Sequence, residues 1–162
     1  MPDGTAELFL GEWVRSLDER HRLSLPAEWA ELLVDPSGQC TLAKERPGCV
    51  SLWNTQQWQS WLASGVELLQ TKIRGGRLGG RVDEVQRLGR LLSTRHHTAT
   101  IAGRGRLAVP DSFRAFLGVE AGGEVLVVGA AVCVEVWNLE RWGEHIAQDM
   151  PEFRKLFDEL TK

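Results

Sequence analysis

Short runs that place apolar residues at alternate positions and end in proline occur twice in this chain, as Leu23-Ser24-Leu25-Pro26 and as Leu107-Ala108-Val109-Pro110. Alternation marks a half-buried strand, and the closing proline cannot continue a ladder. Each run follows an arginine-containing polar turn and, before that, an extended stretch, LFLGEWVRSL from Leu8 and HHTATI from His96. Stretch, turn and run together predict one β-hairpin in each place. The proline then opens a short helix, AEWAELL or DSFRAFLG, because a missing N–H is tolerated in the first helical turn. Gly118 is a fitting stop for the second of these.

Beyond the helices the pattern returns to strand, as CTLA and CVSLW around a turn through Pro47 and Gly48, and as EVLVVG followed by VCVEVW. Both close on Trp-Asn, which makes Asn54 and Asn138 natural N-caps of following helices. Gln57, three residues after Asn54, completes a capping-box pattern. Trp58, Trp61, Leu62 and Leu69 then form a stripe at helical spacing, suited to core or interface packing. The glycine- and arginine-rich segment IRGGRLGGR reads as a mobile loop. Val85, Leu88 and Leu92 predict a connecting helix. After Pro151, Phe153, Leu156, Phe157 and Leu160 share one helical face, which could lie on the body or on a neighbouring subunit.

These segments recur in one register. A shift of 84 positions (110 minus 26) sets Arg20 on Arg104, Arg22 on Arg106, Leu23 on Leu107, Pro26 on Pro110 and Leu33 on Leu117. It continues through Leu42 on Leu126, Cys49 on Cys133, and Trp53, Asn54 and Trp58 on Trp137, Asn138 and Trp142. Rare residues matched without a gap indicate a tandem duplication. Two copies exclude a long solenoid and predict two units closing into one pseudo-symmetric body, suited to a repeated or two-fold target.

The 162 residues are enough for a substantial core, and 43% hydrophobic with 25% charged residues is an ordinary globular balance. No apolar run reaches the roughly 18 residues of a membrane helix. The N-terminus opens acidic, without the pattern of a secretory signal, so a cytoplasmic location is expected. Cys40, Cys49 and Cys133 are too few and too dispersed for a zinc site and fit buried core positions in a reducing compartment. His96 and His97 are neighbours on a strand and point to opposite faces, a poor metal pair. No metal, cofactor or small-molecule substrate is expected. Neither a nucleophile elbow, a phosphate loop nor an HExxH motif is present, so an enzyme ranks last.

Charge is segregated. Lys72 to Arg106 holds nine basic against two acidic residues, a net of +7, leaving -10 for the rest of a chain whose total is -3. One surface can therefore attract phosphates while the protein stays acidic, or the arginines form a solvated helix face. The two predicted hairpin tips each carry arginines at i and i+2, Arg20 with Arg22 and Arg104 with Arg106. Guanidinium forks grip phosphates and read guanine edges, and a two-stranded ribbon fits the major groove. Hairpin arginines are also often merely solvated. On chemistry alone both readings stay open.

The string SLDERHRLSLPAEW resembles the signature of the MraZ family of bacterial regulators, encoded in the division and cell wall cluster and part of the AbrB-like swapped-hairpin superfamily. The likeness rests on Asp18, Arg22 and Pro26, on CVSLWNTQQW and VCVEVWNLERW, and on the spacing of the halves, from about Leu8 to Trp142. Two positions depart from the family's pattern. Ala102 replaces the aspartate in the second half, and His21 stands where glycine is usual, in a turn needing positive φ; Gly105 keeps that glycine.

The resemblance implies an α+β, β-rich tandem duplication forming an intramolecular pseudo-dimeric AbrB-like swapped-hairpin unit with flanking helices. Residues 8–70 form the first repeat, 71–95 the Gly/Arg loop and connecting helix, 96–148 the second repeat and 149–162 a C-terminal amphipathic helix. The same resemblance implies a nucleoid-associated transcriptional regulator, a repressor, assembled as a homo-oligomeric ring on direct repeats of double-stranded promoter DNA. Arg22 and Arg106 are the expected principal contacts, Arg15, Arg20 and Arg104 the phosphate clamps, and Asp18 the residue that orients Arg22. The alternatives are an oligomeric scaffold that has lost promoter recognition and binds protein, and an antitoxin-like module.

Overall fold

The computed structural model describes residues 8–162; the N-terminal residues 1–7, on which the absence of a secretory signal was read, lie outside them. The first half runs β1 (Glu12–Ser16), β2 (Arg22–Ser24), α1 (Ala27–Leu33), β3 (Gln39–Arg46), β4 (Cys49–Trp53) and α2 (Thr55–Arg74). After α3 (Val82–Thr94) the second half repeats it as β5 (His96–Ala102), β6 (Arg106–Ala108), α4 (Asp111–Leu117), β7 (Glu124–Gly129), β8 (Val134–Asn138) and α5 (Leu139–Asp149), with α6 (Phe153–Leu160) last. The fold is therefore α+β, β-rich and duplicated.

The strands form one antiparallel sheet in the order β1-β7-β8-β4-β3-β5-β6-β2. The simple hairpins read from local pattern do not form as such. β1 leaves β2 to pair with β7 of the other half, β5 pairs with β3, and β2 and β6 pair with each other. Within a half, only Ile101–Leu107 and Ala102–Arg106 keep hairpin pairing in the second copy, and Asp18 N–H to Arg22 O (2.9 Å) in the first. A lone short hairpin leaves both edges unpaired; exchange gives each edge a partner and almost closes the sheet.

Two ladder pairs locate the pseudo-two-fold. Leu23 lies opposite Leu107 in β2–β6, and Ser51 opposite Glu135 in β4–β8, and both pairs are 84 residues apart. The duplicated residues thus meet themselves across the axis. Around it packs one core that includes Leu17, Leu23, Leu33, Leu107, Phe113 and Val125, all at most 2% exposed.

The repeat is not free of gaps. Trp53 faces Thr41 across the β3–β4 ladder, whereas its counterpart Trp137 faces Leu126. The structural match of β3 to β7 is thus one residue beyond the 84-residue register, and Leu42 corresponds to Val127 rather than to Leu126. Leu42 and Val127 point into the main core, while Leu126 packs with Cys49 and Trp137 on the opposite face. A one-residue slip exchanges the faces of a strand, so burial fixes the register. The second copy spends its extra residue between α4 and β7, and the first spends one in a β-bulge between Lys44 and Arg46.

Local signals are realised with small changes. Asn54 Oδ1 accepts the N–H groups of Gln56 (3.0 Å) and Gln57 (3.2 Å), and Asn138 Oδ1 those of Glu140 (3.0 Å) and Arg141 (3.3 Å). Gln57 contributes its backbone only, so the capping box is half made. Pro26 and Pro110 sit at the N-cap, one position before the first helical residue. Gly118 ends α4 at φ 74°. IRGGRLGGR is more ordered than a loop: α2 runs through Ile73 and Arg74, past the expected repeat boundary at residue 70, and residues 79–81 form a 3-10 turn into α3. The three cysteines are buried, and burial pushes the thiols of Cys40 and Cys133 up to about 12 and that of Cys49 higher still. Among the described residues no helix is long and apolar enough to cross a membrane.

Candidate nucleic-acid interface

The β2–β6 ribbon is the structural centre of the predicted site. With Leu23 and Leu107 turned into the core, the alternate positions Arg22, Ser24, Arg106 and Ala108 face outward. Arg22 lies opposite Ala108 and Arg106 opposite Ser24, so the two arginines are diagonal neighbours about the dyad, with backbones roughly 7–8 Å apart. The 84-residue match therefore joins the two arginines on one surface. Ser24, exposed between them, was not singled out from the sequence; only the β2–β6 pairing reveals its place.

At the first tip, Asp18 organises the turn. Its Oδ1 accepts the N–H groups of Arg20 (2.8 Å) and Arg22 (2.9 Å), and its Oδ2 accepts Arg22 Nε–H (2.7 Å). The expected Asp18–Arg22 pair is present, made through Nε, and among the described residues the terminal Nη groups of Arg22 make no hydrogen bond. The Arg22 backbone N–H is the foremost of the donors that hold the Asp18 carboxyl down to about 2, against partial desolvation, which raises it. A carboxylate whose folded value lies below its ordinary 3.8 stabilises the fold in full above that value and loses the contribution as pH falls through about 2. Amide resonances of Arg20 and Arg22 followed by NMR are expected to hold their positions down to pH 4 and move between 4 and 2. Movement centred near 4 would mean that the turn does not hold the ionised carboxylate.

His21 closes the same turn at φ 55°, the left-handed conformation that its replacement of glycine required. The strain of a side chain there is about 1 kcal/mol. Its carbonyl accepts the N–H of Val109 (2.9 Å), as Gly105 O accepts that of Leu25 (2.9 Å), so each tip is tied to the strand end of the other half. At Gly105 (φ 69°) glycine is obligatory, since a Cβ would lie 2.7 Å from Leu25 O.

The second tip is differently held. Residues 103–105 form a 3-10 turn in which Arg104 has φ 68°. Ala102 offers no carboxylate, and among the described residues the side chains of Arg104 and Arg106 make no hydrogen bond or ion pair. Arg20 and Arg104 are exposed at the tips. Arg15 differs from the other arginines: its Nε donates to Ser24 O (3.1 Å) and an Nη to Val14 O (3.3 Å), strapping β1 to β2. The structure thus brings Asp18, Arg20 and Arg22 together at one end of the ribbon and Arg104 and Arg106 at the other, where Arg15 meets Ser24 opposite Arg106.

Strand exchange between two copies of one β-β-α-β-β unit about an internal dyad, with an arginine ribbon on the axis, defines a duplicated AbrB-like swapped-hairpin protein. A family described as "MraZ protein, putative antitoxin-like" matches residues 94–161. The chain is 31% identical over 146 residues to the transcriptional regulator MraZ of Idiomarina loihiensis, covering 88% of each. It is 26% identical over 138 residues to that of Thermus thermophilus (85% of this chain, 87% of the relative) and 25% over 138 to that of Alkaliphilus metalliredigens (85% and 86%). The chain belongs to the MraZ family.

Proposed function

We propose that this chain is a sequence-specific DNA-binding transcriptional regulator, a repressor acting in the cytoplasm at the nucleoid on direct repeats upstream of the division and cell wall genes. The observation that carries the reading is the exposed β2–β6 ribbon, which holds Arg22 and Arg106 on either side of a dyad. A two-stranded ribbon enters the major groove, where arginine forks bind guanine O6 and N7. Arg22 and Arg106 read bases, Arg20, Arg104 and Arg15 clamp phosphates, and Asp18 orients Arg22. Ser24 adds a hydroxyl in the middle of the ribbon. The relatives' names, transcriptional regulator MraZ, support the same reading.

Each unit needs only modest affinity. Copies assembled in a ring present ribbons at fixed spacing to repeated sites, and linkage raises the effective concentration of every contact after the first.

The test is titration of DNA from upstream of the chain's own gene against scrambled DNA of equal composition, at 50 and 200 mM salt. Three phosphate clamps give a slope of about -2.7, so affinity is expected to fall roughly 40-fold per bound chain over that range. Binding no tighter to the upstream sequence than to the scramble would leave the protein-binding scaffold as the better account.

A further inference from the structure

A ribbon that sits on a two-fold axis has no direction of its own. With identical tips the chain would bind a site equally well after half a turn about the dyad, and a palindromic site would suit it best. Direct repeats ask for more, since every copy must then lie the same way round. The duplicated tips are therefore informative where they differ.

Their differences in charge fall on opposite ends of the ribbon. Asp18 and Glu19 have Ala102 and Gly103 as counterparts 84 residues on, so residues 18–22 carry two basic and two acidic residues, against two basic and none acidic in 102–106. Arg15 has Ala99 as its counterpart. The ladders support that match: Arg15 faces Val125 in β7, and Ala99 faces Cys40, the β3 residue that corresponds to Val125. Arg15 Nε donates to Ser24 O (3.1 Å) and Nη1 to Val14 O (3.3 Å), and Ser24 lies opposite Arg106. The unmatched cation is thus added at the Arg106 end. Its Nη2 makes no hydrogen bond among the described residues.

Electrostatics then divides the work. At the first tip the Asp18 carboxylate offsets the nearby charge and fixes Arg22 through Nε at 2.7 Å, so the gain of its Nη fork comes from matching a base edge. At the other end Arg15, Arg104 and Arg106 stand without a carboxylate partner among the described residues. Attraction to phosphates dominates there, and it is nearly blind to sequence.

We infer that the ribbon is polar: the Arg22 end selects the sequence, the Arg106 end with Arg15 and Arg104 grips the DNA backbone, and Arg22 fixes which way round the chain lies on each repeat. This rests on the DNA-binding reading above. It supplies a direction that a nearly two-fold fold lacks.

The experiment is directed DNA cleavage by the full chain. Glu28 and Ser112 are exposed, dyad-related positions on α1 and α4. α1 lies beside the second tip, where a Cβ on Gly105 would come 3.3 Å from Ala30, and α4 beside the first, where Arg114 and His21 line one recess. Cysteine is introduced at one position or the other, Glu28→Cys or Ser112→Cys, and coupled to an iron chelate that cuts adjacent DNA. The native cysteines are buried, and the chain without an added cysteine is the control. The probe is a duplex bearing one repeat from upstream of the chain's own gene, beside a scrambled duplex.

Each tether is expected to cut one side of the repeat about 5-fold or more over the other, and the two tethers to cut opposite sides. Adding Arg106→Ala should leave that preference in place, whereas adding Arg22→Ala should make the two sides equal. Arg15→Ala is expected to lower the salt slope of binding by about 0.9, the share of one phosphate, with the cutting ratio unchanged. Equal cutting on both sides by the parent chain, with specific binding intact, overturns the polarity and leaves DNA recognition standing. Loss of the preference in Arg106→Ala as well as in Arg22→Ala means that both ends read sequence, and also overturns it. A parent chain that binds the repeat no tighter than the scramble removes the DNA-binding reading and this inference with it.

Discussion

Arg22→Ala is expected to weaken binding to upstream DNA about 5- to 150-fold per unit, more than Arg106→Ala, the loss being the 1–3 kcal/mol of a bidentate base contact. The difference follows from the two tips. Asp18 holds Arg22 through Nε at 2.7 Å, so little of that side chain's freedom is lost when its Nη fork meets a base. Among the described residues Arg106 has no such partner, and it must be ordered on binding. Truncating Arg22 also leaves the Asp18 carboxylate unneutralised on a surface facing phosphates. Asp18→Ala added to Arg22→Ala is therefore expected to recover part of the lost affinity, and Ala102→Asp to strengthen the contact of Arg106. Fluorescence anisotropy at one fixed salt concentration measures all four variants. Equal losses at Arg22 and Arg106 would refute orientation by Asp18, and indifference to both would refute the ribbon as the reading surface. In an assembled array these factors multiply, so the variants are best compared on a DNA bearing one repeat.

What could be read from the chain divides by distance along it. The caps at Asn54 and Asn138, the stop at Gly118, the left-handed turn at His21 and the Asp18–Arg22 pair each involve partners within about four residues. For these, residue chemistry and spacing nearly determine the geometry. Strand exchange depends on β1 meeting β7 more than 100 residues away, and local alternation of Leu23-Ser24-Leu25 is the same whichever strand lies alongside. The gapless register failed at Leu126 for a related reason: adjacent apolar residues such as Val125, Leu126 and Val127 leave no alternation to say which faces inward. The Gly/Arg segment misled in the other direction. Four glycines suggested a mobile loop, but Ile73 and Arg74 complete α2, and the turn that follows uses the positive φ of Gly76 (70°). Duplication was legible because it rests on identities; the position of the dyad was not, because it rests on pairing.

The dyad itself carries the largest stability prediction. Leu23 and Leu107 are 2% and 1% exposed and lie opposite each other where the halves join. Either Leu→Ala is expected to cost about 2–5 kcal/mol, from lost transfer energy and the cavity left behind, out of a total of about 5–15. The double variant is expected to cost less than the sum by about 0.5–3 kcal/mol, since the first truncation already removes the contact the second would break. Urea unfolding of the four proteins completes the cycle, and strict additivity would mean that the two leucines do not share a contact on the axis. The same substitutions reach the outer face. Arg22 and Ser24 flank Leu23 on a three-residue strand, and Arg106 and Ala108 flank Leu107, so the ribbon has no other core anchor within β2 or β6. Leu23→Ala is therefore expected to lower DNA affinity even where the protein remains folded, and its effect should fall on Arg22 and Arg106 together, because one ladder positions both.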